Sequence, residues 1–389
     1  MKRKIVVVTS SRAEYGHLYW ILKDLAADPL FDLKLLVMGA HLSPEFGNTI
    51  NEIRRDGFEI EAEIECLLSS DSDVGMAKTI GLATLGFADA LARIRPDLLL
   101  LIADRYEMLA PASVAVALRI PIAHIEGGEV SQGAIDDAVR NALTKLSHIH
   151  FACTEKARER IISMGEEPWR VHFTGTPALD ALRRRALLTK EELQKKLNLD
   201  LSSSAAVIAY HPVTLLDVTT EEFDQLLATL KVVTNQLVFT YPNADAGSRL
   251  LIRRSHEFAT TRGNARVFVN LDHVTFLSLL QQSAVMVGNS SSGIMESTSL
   301  GLPAVNIGLR QQGREHAANV LDAHADSHDI AAKIRTALSS GFRDSVKNLP
   351  NPYGDGYASE RMLKILREVQ LGQKLLMKYP TEVHGASHG

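Results

Sequence analysis

The feature that most constrains this 389-residue chain is a regular alternation of short apolar runs with stretches of helical period. Apolar runs cover 4–9, 33–38, 98–103, 120–125 and 150–153 in the first half. They resume at 205–210, 237–241, 266–269, 284–287 and 304–307 in the second half. Periodic stretches at 15–27, 75–93, 106–118 and 136–146 lie between the earlier runs. Strand, helix and strand in turn make βαβ units, so the reading is α/β with mainly parallel sheets. Pro96 and Pro121 fall at strand starts, where a missing N–H donor is tolerated.

At about 100–200 residues per domain, the length fits two domains. After Gly175-Thr176-Pro177 the chain turns polar and charged, through Arg183-Arg184-Arg185 to Ser202-Ser203-Ser204. The expected division is a first domain over 1–185 and a second over 186–356. A helix at about 357–372 is expected to cross back to the first domain, with a frayed tail over 373–389. Hydrophobic residues at 46% and charged residues at 23% are ordinary globular values and argue against disorder. The formal net charge of −4 offers no overall attraction to nucleic acid or anionic lipid. Cys66 and Cys153 cannot make a disulfide framework, and no His, Cys or Asp spacing reads as a zinc site. Neither metal nor cofactor is expected. Met1-Lys2-Arg3-Lys4 leads straight into a strand, and the longest aliphatic run, 98–103, is too short to span a bilayer. The expected location is the cytoplasm.

Chemistry concentrates after the strands. The first strand is followed by Thr9-Ser10-Ser11-Arg12, the run at 98–103 by Asp104-Arg105, and the run at 120–125 by Glu126-Gly127-Gly128-Glu129. In the second half, His211-Pro212-Val213-Thr214, the 242–248 segment with Asn243, and Gly288-Asn289-Ser290-Ser291-Ser292-Gly293 occupy the same places. Open α/β sheets bind ligands outside the carboxyl ends of their strands, so these clusters imply one cleft between two sheets. Neither Gly-x-Gly-x-x-Gly after the first strand nor a P-loop is present. Ser290 to Gly293 instead reads as a helix N-terminus offering hydroxyls and N–H groups to a phosphate, against the plainer reading of a serine cap. Glu296, four residues past Ser292, suits a ribose diol, against the equally plain reading of a solvated surface acid. Arg12, Arg105 and Arg310 are candidate phosphate clamps and His211 a donor to a diphosphate, against the plainer readings of exposed surface arginines and a structural histidine. Asp104, Glu126 and Asp136 are candidate acid–base groups, with Asp136 alternatively a helix cap.

His124-Ile125-Glu126-Gly127-Gly128-Glu129-Val130-Ser131, Ile135-Asp136-Asp137 and Thr144-Lys145 resemble the hydrolysing UDP-N-acetylglucosamine 2-epimerases. So do Ser11-Arg12-Ala13-Glu14-Tyr15, Gly47-Asn48-Thr49, His211 to Thr214, Pro242 to Ser248, Gly288 to Gly293 and Arg310-Gln311-Gln312-Gly313-Arg314. The resemblance implies the GT-B architecture, two Rossmann-like domains with a UDP-sugar between them. It implies Arg12, His211, Asn243, Ser290, Ser291, Glu296 and Arg310 as UDP-binding residues. Arg105 would lie beside the sugar phosphate, and Asp104, Glu126 and Asp136 would be the essential acids. The implied reaction takes UDP-N-acetylglucosamine and water to UDP and N-acetylmannosamine, for sialic-acid-type synthesis. The alternative substrate is UDP-N,N′-diacetylbacillosamine, of legionaminic-acid synthesis. A GT-B glycosyltransferase, a non-hydrolysing epimerase and a non-catalytic nucleotide-sugar regulator are the further alternatives. The expected assembly is a homodimer or homotetramer. Two positions depart from the pattern: Ala103 replaces the usual Gly, and Asn141 replaces a frequent His.

Overall fold

The computed structural model describes residues 2–201, 204–216, 220–231 and 233–379. The end of the expected frayed tail, and two serines of the expected linker, lie outside these. The first half forms β1 (Arg3–Thr9), β2 (Phe31–Met38), β3 (Ile60–Ile64), β4 (Leu98–Ile102), β5 (Ile122–Ile125), β6 (Ile149–Ala152) and β7 (Val171–Phe173). Their order is β3-β2-β1-β4-β5-β6-β7, with every pairing parallel. The second half forms β8 (Ala205–Ala209), β9 (Leu237–Thr240), β10 (Ala265–Phe268), β11 (Ser283–Gly288), β12 (Ala304–Ile307) and β13 (Val320–Ala323). Their order is β10-β9-β8-β11-β12-β13, again all parallel. Both sheets reverse direction of growth next to their first strand, between β1 and β4 and between β8 and β11. That is where a doubly wound sheet opens a crevice at its strand ends. Two such sheets facing one cleft are the GT-B architecture.

Burial explains the strands the apolar runs missed. Ile60–Ile64 carries Glu61 and Glu63 and lies at a sheet edge, mostly half-buried, so it has no continuous apolar run. Val171–Phe173 and Val320–Ala323 are short edge strands of the same kind. The 98–103 run ends one residue early because Ala103 turns to φ +60°. The 120–125 run starts late because the Ile120 N–H bonds to Ala115 O, closing the end of the preceding helix.

Helix Arg12–Ala27 buries Tyr15, Leu18, Ile21, Leu22 and Leu25 against one face of the first sheet. Ala358, Met362 and Leu366 of the late helix Ala358–Glu368 join that same core. Helix Asp73–Ile94 is long and apolar enough to cross a membrane. Here its Met76, Ala83, Phe87, Ala90, Leu91 and Ile94 pack in the core on the opposite face.

Candidate active site

Every sequence-predicted site residue lines one cavity between the two sheets: Asp104, Arg105, Glu126, Asp136 and Arg12 from the first half, and His211, Asn243, Ser290, Ser291, Glu296 and Arg310 from the second. With its open mouth included, the cleft encloses about 1150 Å³. The halves meet closely around it. The Arg12 guanidinium donates to Asn270 Oδ1 at 3.0 Å, and Ile135 N–H donates to Thr214 Oγ1 at 2.9 Å. A Cβ on Gly133 would sit 2.7 Å from the backbone of Leu309, so this approach needs glycine.

The acids are held in three different ways. Asp104 follows β4 and pairs with Arg140, a guanidinium only 1% exposed. Arg140 also donates to Glu129 O and to Ser131 Oγ, both at 3.0 Å. Glu126 follows β5 with φ +67° and accepts from Thr176 Oγ1 at 2.8 Å. Its other partner is His17 Nδ1 at 2.9 Å, while His17 Nε2 lies 3.7 Å from Glu296. Burial alone would discharge this imidazole. Glu126 and Glu296 outweigh it and push the His17 pKa up to about 10. Burial likewise raises Glu126, but His17 and its hydrogen bonds leave that carboxyl below its usual range. Asp136 is the reverse case. Burial raises it, the charge of Asp245 adds to the rise, and Arg310 and Arg105 oppose. Asp136 is not a cap: Ile135 occupies that position, and Asp137 accepts from Ser131 N–H at 2.9 Å.

The anion side is built around Asn289. Its Oδ1 accepts from His211 N–H at 2.7 Å, and its Nδ2 donates to His211 O at 2.9 Å. Its carbonyl accepts from Arg310 at 3.0 Å and from Gln311 at 3.1 Å. His211 Nδ1 accepts from Asn243 N–H at 3.2 Å, which leaves Nε2 as the protonated ring nitrogen. Burial, with Arg310, Arg105 and Arg12 nearby, keeps this imidazole neutral. His211 is therefore a neutral N–H donor rather than a cation.

Arg105 lines the cavity but is not without partners: its guanidinium pairs with Asp245 at 2.6 Å and with Glu107 at 3.2 Å. An arginine only 4% exposed needs such partners to remain charged. One expectation needs correction: the serine run is not a regular helix N-terminus. Ser290 caps a short 3-10 turn, Ser291–Gly293, before the five-residue helix Met295–Ser299. Gly293 N–H bonds to Ser290 O at 3.1 Å, closing the turn tightly and using a donor that a phosphate would otherwise meet.

His17, Glu14 and Arg314 also line the cavity and were not assigned from the sequence. Glu14 accepts from Ser10 N–H, Ser10 Oγ and Ser11 N–H at 2.8, 2.7 and 3.2 Å. Burial still raises its carboxyl to about 7. His17 follows Glu14 by three residues, a spacing that shares a helix face, and that was the available signal.

The family model described as UDP-N-acetylglucosamine 2-epimerase matches residues 23–367. The chain belongs to the UDP-N-acetylglucosamine 2-epimerase family. Among relatives of this epimerase, the UDP-N,N′-diacetylbacillosamine 2-epimerase (hydrolyzing) of Legionella pneumophila is 37% identical, over 97% of this chain and 99% of that one. A UDP-N-acetylglucosamine 2-epimerase of Neisseria meningitidis is 30% identical, over 87% of this chain and 88% of that one. A crystal structure of UDP-GlcNAc 2-epimerase from Neisseria meningitidis bound to UDP-GlcNAc shares the fold. Its TM-score is 0.79 at 18% identity, covering 94% of this chain and 100% of that one.

Proposed function

We propose that this epimerase hydrolyses UDP-N,N′-diacetylbacillosamine with inversion at C2, releasing UDP and the 2-epimeric diacetamido sugar for legionaminic-acid-type synthesis in the cytoplasm. The observation that carries the reaction class is one cavity holding Asp104, Glu126 and Asp136 across from His211 and Arg310. The substrate rests on the 37% identity to the Legionella enzyme, against 30% to the Neisseria enzyme. That Neisseria relative keeps UDP-N-acetylglucosamine as the second reading.

The C2 hydrogen has no adjacent carbonyl, so its loss must accompany departure of UDP. In the first step the C1–O bond breaks and its electron pair leaves with the diphosphate. A carboxylate takes the C2 proton, and a C1=C2 double bond forms, giving a glucal. In the second step a carboxylic acid gives a proton to C2 from the opposite face while water adds its oxygen to C1 and passes its spare proton to the carboxylate so formed. The proton taken in the first step leaves to solvent. Asp104, charge-paired with Arg140, is assigned as the base. Asp136, whose burial favours the protonated form, is assigned as the acid. Glu126, held ionised by His17, faces the positive charge that grows at C1. The neutral His211 donor, Arg12, Arg310, Asn243 and the Ser290-Ser291 turn bind UDP, with Glu296 on the ribose.

We also propose a homodimer or homotetramer, with Val74, Leu82, Leu85 and Val116 exposed on two packed helices, Asp73–Ile94 and Leu109–Ala117, and Leu118 just past the second, as its candidate contact. Assaying both UDP-sugars side by side tests the substrate. The proposal expects kcat/KM at least about tenfold higher for the diacetylbacillosamine sugar, a difference of ~1.4 kcal/mol at the transition state. A preference for UDP-N-acetylglucosamine would replace it with the second reading.

A further inference from the structure

The loop between β9 and helix Ser248–Thr260 reaches from the second half into the first. Ala246 packs against the core of the first half, with its N–H 3.4 Å from Met76 Sδ. Asp245, one residue earlier, is buried, and its carboxylate accepts from Arg105 Nη1 at 2.6 Å. The loop fixes that carboxylate from its own side. Asp245 N–H donates to Ser248 Oγ at 3.1 Å, and Ser248 Oγ in turn donates to Asn243 O. Arg105 directly follows Asp104, and its Nε and Nη2 both reach Glu107 Oε1. The pair therefore joins the halves at the residue next to the assigned base.

We propose that Asp245 is a positioning residue of the closed state, which through Arg105 holds the two halves shut over the glucal until C2 is reprotonated. Charge-assisted hydrogen bonds between buried partners are among the stronger polar contacts, and this one links the two halves that a hinged cleft would have to separate. Arg105 without Asp245 keeps Glu107 but loses its link to the second half. The closed interval then shortens, and the glucal escapes before water adds. UDP binding in the cleft uses other groups and should change little.

The inference rests on the elimination–hydration reading given above, and the test separates the two. Free glucal, epimerised sugar and UDP are counted per turnover for the wild type, Asp245→Asn and Asp245→Glu. The wild type should yield one epimerised sugar per UDP. Asp245→Asn should keep UDP affinity and raise the released glucal by about tenfold to a hundredfold, the range expected for loss of one charged hydrogen bond. Asp245→Glu keeps the charge on a longer arm and should leak less than the Asn variant. If the Asn variant does not fold, a rise in glucal from the Glu variant over the wild type carries the test. Folded variants that slow down yet keep one epimerised sugar per UDP would overturn the inference, because a purely structural role lowers both products together. Retention of the substrate's C2 hydrogen by the wild type would instead overturn the elimination reading itself.

Discussion

Ala103 and Glu126 end neighbouring strands in left-handed backbone, at φ +60° and +67°. Each peptide N–H still completes the sheet pattern, Ala103 to Ile125 O at 2.9 Å and Glu126 to Phe151 O at 3.0 Å. The strained turns swing the Asp104 and Glu126 side chains off the strand ends and into the cleft. For an L-residue this conformation costs about 1–2 kcal/mol, whereas glycine adopts it freely. Ala103→Gly should therefore stabilise the protein, by up to about 1 kcal/mol once the added entropy of the unfolded chain is subtracted. A rise of about 2–4 °C in Tm would show it; an equal fall would mean that Ala103 is not left-handed. The acids were legible because each follows an apolar strand or opens the next helix. The residues that tune them were not, because their partners lie far away in sequence; only His17 has a local mark, its helix-face spacing from Glu14. His17 lies 109 residues from Glu126, Asn289 lies 78 from His211, and Asp245 lies 140 from Arg105.

The buried strands were readable as elements because parallel strands covered on both faces are continuous apolar runs. The edge strands Ile60–Ile64, Val171–Phe173 and Val320–Ala323 alternate or are too short, so composition hid them. Helix Ala358–Glu368 was legible from its period, and its packing partner is the first core rather than the sheet before it in sequence. Arg3 strengthens that docking by donating to Leu366 O and Val369 O at 2.7 and 2.8 Å. Met362 is fully buried among first-half residues. Met362→Ala should lower unfolding free energy by about 2–5 kcal/mol, read from urea denaturation followed by a probe in the first half. A change below about 0.5 kcal/mol would show that the helix is not part of that core.

At the scale of the molecule, buried histidines set the response to acid. Burial holds His41 down to about 3 and His124, His148 and His273 down to about 4, from an unfolded value of 6.5. The unfolded chain then binds protons that the folded protein refuses. Their contribution is whole above pH 6.5 and is lost as pH falls toward 4, at about 1.4 kcal/mol per unit for each histidine. Glu14 runs the other way: raised from 4.5 to about 7, it favours the folded state as pH falls through that range, offsetting one of the four. Tm should therefore drop steadily from pH 6.5 to 4.5 at constant salt, and a flat profile would contradict the neutral burial of these rings. The halves themselves are tied across the cleft by Arg105 to Asp245, Arg314 to Glu129 and Arg249 to Glu45, at 2.6, 3.1 and 2.7 Å. A cleft tied in this way matters only if the reaction passes through an intermediate that must be kept. Turnover in heavy water and in oxygen-18 water tests that most directly. The account predicts deuterium at C2 and oxygen-18 at C1 of the released sugar, while a product that keeps its original C2 hydrogen would contradict it.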